Sequence, residues 1–192
     1  MNRRSLVMVG VLAGLVGLSP AAEKGNPMVV LETSLGNIKV ELYADKAPIT
    51  VKNFLDYVKA GYYNGTIFHR VIPNFMIQCG GMTADMNDKK DGQKPSIKNE
   101  SSNGLKNDEG TLAMARTSVP DSATSQFFIN TKNNDFLNKD KSQDGVGYAV
   151  FGKVVEGMDV VKKIEAVKTT TKPPHQNVPV EAVTIKSAKV VE

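Results

Sequence analysis

Short apolar segments of the strand type, separated by polar loops, recur along the chain after its first 27 residues. They cover residues 28–42, which alternate around a turn at 34–37, and residues 66–71, 75–79, 111–115, 126–130, 149–155 and 183–190. Apolar residues with helical spacing occur at 48–61, which starts at a proline and ends at a glycine, and at 158–166. Many short strands with two helices favour a closed antiparallel barrel whose open ends the helices cover, because closure removes exposed strand edges.

Two polar stretches, 85–109 and 133–147, interrupt this pattern. Both are dense in Asn, Asp, Lys, Ser and Gly, and we predict long surface loops. Strands continue on both sides of each stretch, and no fragment is long enough to bury a core alone. We therefore predict a single domain over residues 28–192, preceded by a short linker at 22–27.

The first 21 residues have the pattern of a secretory signal peptide. Arg3 and Arg4 precede an apolar run at 6–18, and the small residues that follow predict cleavage after Ala21. The run is about 13 residues long, whereas a membrane span needs roughly 20. An uncleaved anchor and a twin-arginine signal are the alternatives to ordinary secretion. No cysteine directly follows the run, which excludes a lipoprotein anchor, and we predict no stable membrane anchor.

Charge and cysteine content exclude several classes of function. Without Arg3 and Arg4, the chain would carry 22 basic and 20 acidic residues, so its calculated pI of about 9.0 gives no argument for binding nucleic acid. Cys79 is the single cysteine, so no internal disulfide can form. Two isolated histidines and one cysteine offer little from which to build a zinc site. We predict no metal and no cofactor.

Polar and aromatic side chains alternate along two of the predicted strands. Successive side chains of a strand point to opposite faces, so Met76 and Gln78 share one face, and Gln126 and Phe128 share another. A barrel that uses these faces could present an apolar pocket edged by Arg70 and two amides. Such a surface suits a proline ring and the amide bond that precedes it.

Four ordered blocks of the sequence, at 68–78, 111–116, 125–129 and 150–154, resemble the cyclophilins, the cyclosporin-binding class of peptidyl-prolyl isomerases. The resemblance extends over nearly the whole chain after the predicted signal peptide. It implies an eight-stranded barrel capped by two helices and a cofactor-free isomerase that acts on proline-containing peptides and unfolded secreted proteins. With the predicted signal peptide and the loop at 99–101, the chain resembles the periplasmic bacterial members. We therefore expect a periplasmic protein, and a monomer.

The resemblance also implies a role for each residue of the pocket. Arg70 would be the catalytic arginine, and Gln78 would hold Arg70 and the substrate in place. The residues implied in substrate binding are Phe75, Met76 and Phe128 in the proline pocket, Ala115, Arg116 and Gln126 on the backbone preceding proline, and Phe136, Leu137 and Tyr148 at further positions of the site.

Three residues depart from the family pattern. Cys79 stands at a usual glycine position, where it could strain the strand end or alter the pocket floor. Arg116 stands where eukaryotic relatives commonly have asparagine. Phe136 replaces a tryptophan and so removes an indole N–H that could hydrogen-bond the drug, and we predict an active isomerase with weakened affinity for cyclosporin.

Two other functions stay open at this point. The first is a binding module or chaperone that recognises proline-containing segments without turnover. The second is a hydrolase that uses Ser122, Ser125 or Cys79 together with His69, although a third catalytic partner and an oxyanion loop are missing from the sequence. Among the remaining polar residues, we expect His69 in a core or capping role and His175 in a solvated loop.

Overall fold

Residues 25–191 are described by a computed structural model, so the predicted signal peptide and its cleavage site lie outside the described residues. The strands are β1 (Met28–Thr33), β2 (Gly36–Leu42), β3 (Arg70–Ile72), β4 (Met76–Cys79), β5 (Thr111–Met114), β6 (Phe127–Asn130), β7 (Val150–Glu156), β8 (Thr169–Lys172), β9 (His175–Pro179) and β10 (Ile185–Val191). The helices are α1 (Pro48–Lys59), α2 (Met158–Glu165) and a short 3-10 helix (Asp135–Leu137). No helix within residues 25–191 is long and apolar enough to cross a bilayer.

Eight strands form one antiparallel sheet in the order β10-β1-β2-β7-β5-β6-β4-β3. The sheet curves into a barrel that is open, so the prediction of a closed barrel is wrong. Its two edge strands, β3 and β10, do not pair along their length. Isolated backbone hydrogen bonds span this seam instead, from Phe68 N to Val183 O at 2.9 Å and from Ile185 N to Thr66 O at 2.8 Å. We attribute the open seam to the shortness of β3, which has only three residues.

The main core fills the inside of the barrel and includes the apolar sides of both helices. Phe54 and Tyr57 of α1 and Ile164 of α2 are fully buried in the same cluster as Ile77 and Phe127 of the strands. The helices lie at opposite ends of β2, since α2 packs against its first residues, whereas α1 begins six residues after its last. The two helices therefore bury their apolar sides in the core near different ends of this strand.

Helix α1 begins without a cap from its own N-cap residue, because Ala47 has no side chain that can accept a hydrogen bond. The carboxylate of Glu100, from a distant loop, replaces it. One oxygen accepts from Ile49 N at 3.1 Å, and the other accepts from Thr50 N at 2.8 Å and from the Thr50 hydroxyl at 2.7 Å. The loop at 99–101 is thus fastened to the helix by an anion at its positive end.

Two features of the structure differ from the sequence prediction. His175, expected in a solvated loop, is half-buried at the start of β9, which forms a separate hairpin with β8. This hairpin is largely polar and exposed, so it lacks the apolar alternation that predicts strands. The polar stretches 85–109 and 133–147 are also more than surface loops, since Asn107, Asn134 and Asn138 within them are buried.

Candidate active site

The candidate site lies on the outer face of the sheet, opposite the main core. Arg70 of β3 pairs with Gln78 of β4, and Gln78 pairs in turn with Phe128 of β6, so these three side chains point to the same side. The intervening residues Ile77 and Phe127 point inward and belong to the main core. Strand alternation thus separates the site from the core within a few residues, and the prediction that Phe127 is a core residue is confirmed.

A second, smaller apolar cluster forms the floor of a pocket on this outer face. Met76, Phe128 and Leu137 are buried in it, and half-buried Phe75 and Tyr148 stand at its rim. The pocket has a volume of about 100 Å³. The residues that line it are Arg70, Phe75, Met76, Gln78, Ala115, Arg116, Phe128, Leu137 and Tyr148. Every one of them is among the site residues predicted from the sequence, so the structure brings nine of those predicted residues together.

One edge of the pocket is a row of three polar side chains. The Arg70 Nη1 lies 3.5 Å from Gln78 Oε1, and Gln78 Nε2 donates to Gln126 Oε1 at 2.9 Å. Each amide therefore orients the next group in the row, and Arg70 keeps other guanidinium N–H groups available. Gln126 does not line the pocket itself but lies beside it, where it lines an adjacent polar groove.

The opposite edge is built around the Arg116 side chain, which is only 3% exposed. Its Nε donates to Gly147 O at 3.0 Å, its Nη1 donates to Thr117 O at 3.0 Å, and its Nη2 forms an ion pair with Asp144. The guanidinium carbon also lies 4.6 Å from the centroid of the Tyr148 ring. The hydrogen bond from Arg116 holds the pKa of the Asp144 carboxyl well below its usual range.

Phe136 lies outside the pocket. Its side chain is 54% exposed and stacks on the ring of Phe75, with the two centroids 5.5 Å apart. Phe75 in turn lines the pocket, so Phe136 supports the rim from outside. The exposed Phe136 ring is accessible to a ligand that is larger than the pocket and extends over its opening.

Comparison with known proteins places this arrangement in a family. Residues 28–190 match the family described as "Cyclophilin type peptidyl-prolyl cis-trans isomerase/CLD", which covers most of the chain. The chain belongs to the cyclophilins. It is 59% identical over 94% of its length to a peptidyl-prolyl cis-trans isomerase of Acinetobacter baylyi, of which the alignment covers 93%. It is 53% identical to peptidyl-prolyl cis-trans isomerase A of Dickeya dadantii, over 100% of both chains.

A solved cyclophilin-type isomerase from Cryptosporidium parvum has a similar fold. The TM-score is 0.70 at 28% identity, and the match covers 86% of this chain and 99% of the other. That protein was crystallised in the presence of the dipeptide Ala-Pro. Family membership and the named relatives identify this cyclophilin as a peptidyl-prolyl cis-trans isomerase, an activity that acts on proline-containing peptides.

The residues proposed for a hydrolase are not assembled in this cyclophilin. Cys79 is fully buried in the main core, does not line the pocket, and has a thiol pKa that burial raises. Ser125 is also buried, and the Ser122 hydroxyl donates to Val119 O at 2.7 Å within a turn. Within residues 25–191, no hydrogen bond joins His69 to any of these side chains, and no cluster of three or more metal-binding residues occurs.

A buried network of asparagines, which the sequence did not predict, lies behind the pocket. Asn134 Nδ2 donates to Asn130 Oδ1 and to Phe75 O, both at 2.8 Å, and Asn107 Nδ2 donates to Asn138 Oδ1 at 3.0 Å. The network fixes the backbone of Phe75 and the segment that carries Leu137. Polar composition hides such a network, although the recurrence of asparagine at 130, 134 and 138 is one signal that could have indicated it.

Proposed function

We propose that Arg70 is the catalytic group of this cyclophilin and that the adjacent apolar pocket holds the proline ring of the substrate. The observation that carries the proposal is the juxtaposition of the Arg70 guanidinium, oriented by Gln78, with a pocket floored by Met76 and Phe128. Ala115, Gln126 and the main chain of Arg116 would bind the residues that precede proline. Leu137 and Tyr148 complete the pocket wall, and Phe136 supports its rim.

The chemistry of the rotation explains why an arginine suits this position. Rotation about an X-Pro bond passes through a twisted state in which amide resonance is lost, and the uncatalysed barrier is about 20 kcal/mol. In that state, the proline nitrogen carries a lone pair that can accept a hydrogen bond. A guanidinium N–H beside this nitrogen stabilises the twisted state more than either planar state, and only such differential binding accelerates the reaction.

The apolar floor contributes in a different way. It fixes the proline ring on one side of the bond while the carbonyl of the preceding residue swings on the other. It also excludes water, which strengthens the hydrogen bond from Arg70. Rotation makes and breaks no covalent bond, so the reaction calls for neither a nucleophile nor a general base.

Replacement of Arg70 tests this proposal. We expect Arg70→Ala to lower kcat/KM on a short Ala-Pro peptide about 30- to 1,000-fold, the cost of losing one preorganised donor. Arg70→Lys should recover little of the loss, since a lysine lacks the rigid fork that faces both Gln78 and the substrate. The measurement is cis-trans exchange followed by NMR, and Lys189→Ala, at an exposed position of β10, is the control.

Peptide binding, measured by titration of the same variants, separates the enzyme from a binding module. If Arg70 is the catalytic group, Arg70→Ala should still bind the peptide but should accelerate its cis-trans exchange less. If exchange were as fast in Arg70→Ala as in the unmodified protein, the proposed role of Arg70 would be wrong. If the unmodified protein bound the peptide without accelerating exchange, the chain would be a binding module.

We also propose that this cyclophilin works in the periplasm on unfolded secreted proteins. The support is the sequence pattern of residues 1–21, with its arginine pair, short apolar run and predicted cleavage after Ala21. The test is expression of the full chain in a Gram-negative bacterium, followed by osmotic-shock fractionation and mass spectrometry. A periplasmic product that begins at Ala22 would support the proposal, and a cytoplasmic product of full length would contradict it.

Cyclosporin binding is proposed to be weak. Phe136 is exposed at the mouth of the pocket, where a large cyclic ligand would contact it, and a phenyl ring offers no N–H donor. We expect a Kd well above the nanomolar range by calorimetry, and tighter binding by Phe136→Trp. A nanomolar Kd for the unmodified protein would contradict this proposal.

A further inference from the structure

The Arg116 side chain has more internal contacts than any other cation near the pocket. All three guanidinium nitrogens have partners within the protein, and these partners lie on Thr117, Asp144 and Gly147. The residue as a whole is nonetheless half-exposed, although its side chain is only 3% exposed. The accessible surface of Arg116 therefore belongs to its main chain, which has no backbone hydrogen bond to any other residue in 25–191.

Asp144 connects this guanidinium to the loop that carries the pocket wall. One carboxylate oxygen pairs with Arg116, and the other accepts from Val146 N at 3.0 Å and from Gly147 N at 3.3 Å. Gly147 directly precedes Tyr148, and the Tyr148 ring lies under the guanidinium. The same ring contacts Phe128 edge-on, with centroids 5.7 Å apart, and so forms one side of the pocket.

We infer that Arg116 and Asp144 are positioning residues, which hold the 144–148 loop and the Tyr148 ring against the proline pocket and thereby set the affinity for the peptide. The inference rests on the proposed function, because it assigns the pocket to the proline ring. In this assignment, the main chain of Arg116 is available to bind the substrate, whereas its side chain binds Asp144 and Gly147 of the loop. Arg70 and Gln78 lie on the opposite edge of the pocket and do not depend on this contact.

Because one partner is buried, breaking this ion pair costs more free energy than breaking an ordinary surface pair. The Asp144 side chain is 44% exposed, but the Arg116 side chain is almost completely withdrawn from water. Removal of the carboxylate leaves a buried guanidinium without its counter-charge, which is far more costly than breaking an exposed pair. The guanidinium or the loop must then move, and Tyr148 moves with it.

Steady-state kinetics of two single variants test the inference. We expect Asp144→Asn and Arg116→Lys each to raise KM for an Ala-Pro peptide about tenfold, as for one lost charged hydrogen bond, with kcat within about twofold of the unmodified value. Asp144→Asn keeps an oxygen for the Val146 and Gly147 amides, so it retains the fold of the loop. Asp159→Asn removes an exposed acid that pairs with Lys163 at 3.0 Å and is the matched control.

A double-mutant comparison shows whether the effect passes through Tyr148. In a Tyr148→Ala background, Arg116→Lys should change KM no further, whereas in a Tyr148→Phe background, which keeps the ring, it should still raise KM. An unchanged KM in both single variants, or an equal increase with and without the ring, would overturn the inference. Loss of turnover in Arg70→Ala would leave the proposed function standing in either case.

Discussion

At the scale of single residues, Gly81 shows how closely the polar edge of the site is packed. A Cβ at this position would overlap the side chain of Gln126, the residue that accepts a hydrogen bond from Gln78. The backbone of Gly81 has no positive φ, so the absence of a side chain, and not conformational freedom, is what the site requires here. The row of amides therefore depends on a residue that does not itself line the pocket.

We expect Gly81→Ala to displace Gln126 from Gln78 and to lower kcat/KM about tenfold, the equivalent of one hydrogen bond of roughly 1.4 kcal/mol. The free energy of unfolding should change by less, because the Gln126 side chain can turn toward the adjacent groove. Exchange kinetics and urea unfolding measure the two effects. Gly25→Ala, at a position with nothing within 4 Å, is the control, and equal activity of both variants would contradict the prediction.

His69 gives the stability of the protein a dependence on pH. Burial lowers the pKa of His69 to about 4, and its Nδ1 has no hydrogen-bond partner within residues 25–191. An unfolded histidine has a pKa of about 6.5, so between pH 6.5 and 4 the unfolded chain binds the proton that the folded chain excludes. The contribution of neutral His69 to the free energy of unfolding is fully present above pH 6.5. It is lost as the pH falls below that value, by up to about 1.4 kcal/mol per pH unit.

We therefore expect His69→Gln to flatten the decline in the free energy of unfolding between pH 6.5 and 4, as measured by urea titrations at several pH values. Ser102→Ala, at an exposed position that carries no titratable group, should leave the decline in place. An unaltered slope in His69→Gln would show that other groups cause the acid sensitivity.

At the scale of elements, the start of α1 depends on Glu100, which lies 51 residues after Ile49 of the first turn, beyond β3 and β4. We expect Glu100→Ala to lower the free energy of unfolding by about 1–2 kcal/mol, as for the loss of a helix cap. Glu100→Gln should cost less, because an amide oxygen still accepts one N–H. Urea unfolding measures both, with exposed Glu181→Gln as the control, and equal stability of Glu100→Ala and the control would contradict the capping role.

Local patterns predicted some elements well and missed others for identifiable reasons. Helix α1 begins at Pro48 as predicted, because a proline and the following apolar spacing mark the first turn. The β8–β9 hairpin was missed, because residues such as Thr170 and Lys172 face solvent and show no apolar alternation. The cap by Glu100 was missed because it joins residues far apart in the sequence, and most of the asparagine network was missed for the same reason, since Asn134 bonds Phe75 O and Asn107 bonds Asn138.

The same contrast holds for the site. Alternation places Met76 and Phe128 on the site face and Phe127 in the core, and the structure has them there. The internal contacts of Arg116 and the position of Phe136 outside the pocket could not be predicted, because they depend on how the 133–148 region folds back over the sheet. The resemblance to the cyclophilins predicts the residues of the site, whereas their hydrogen-bond partners follow only from the folded structure.

At the scale of the whole molecule, the seam between β3 and β10 is spanned by isolated backbone hydrogen bonds and not by a continuous ladder. The local sequence pattern could not predict this opening, since the residue pattern of an edge strand does not differ from that of the other strands. Gly65, Phe68 and Ile185 donate the backbone hydrogen bonds that span it. Opening there disrupts fewer contacts than opening between β1 and β2, which pair over six residues.

We expect the amides of Phe68 and Ile185 to exchange with solvent at least about tenfold faster than those in the centre of the β1–β2 ladder, such as Leu31 and Val40. Both groups of residues are buried, so exposure alone would not produce the difference. Native-state hydrogen exchange by NMR measures it. Equal protection at the seam and in the ladder would show that the barrel opens as one unit.

The placement of the pocket on the outside of the sheet has a consequence for laboratory evolution. In β4 and β6, adjacent positions have different roles, since Met76, Gln78 and Phe128 line the pocket whereas Ile77 and Phe127 are buried in the main core. Libraries restricted to the outward positions should therefore yield altered selectivity in chains that still fold. Libraries at the inward positions should instead yield mostly insoluble protein, even though the two sets are adjacent in the gene.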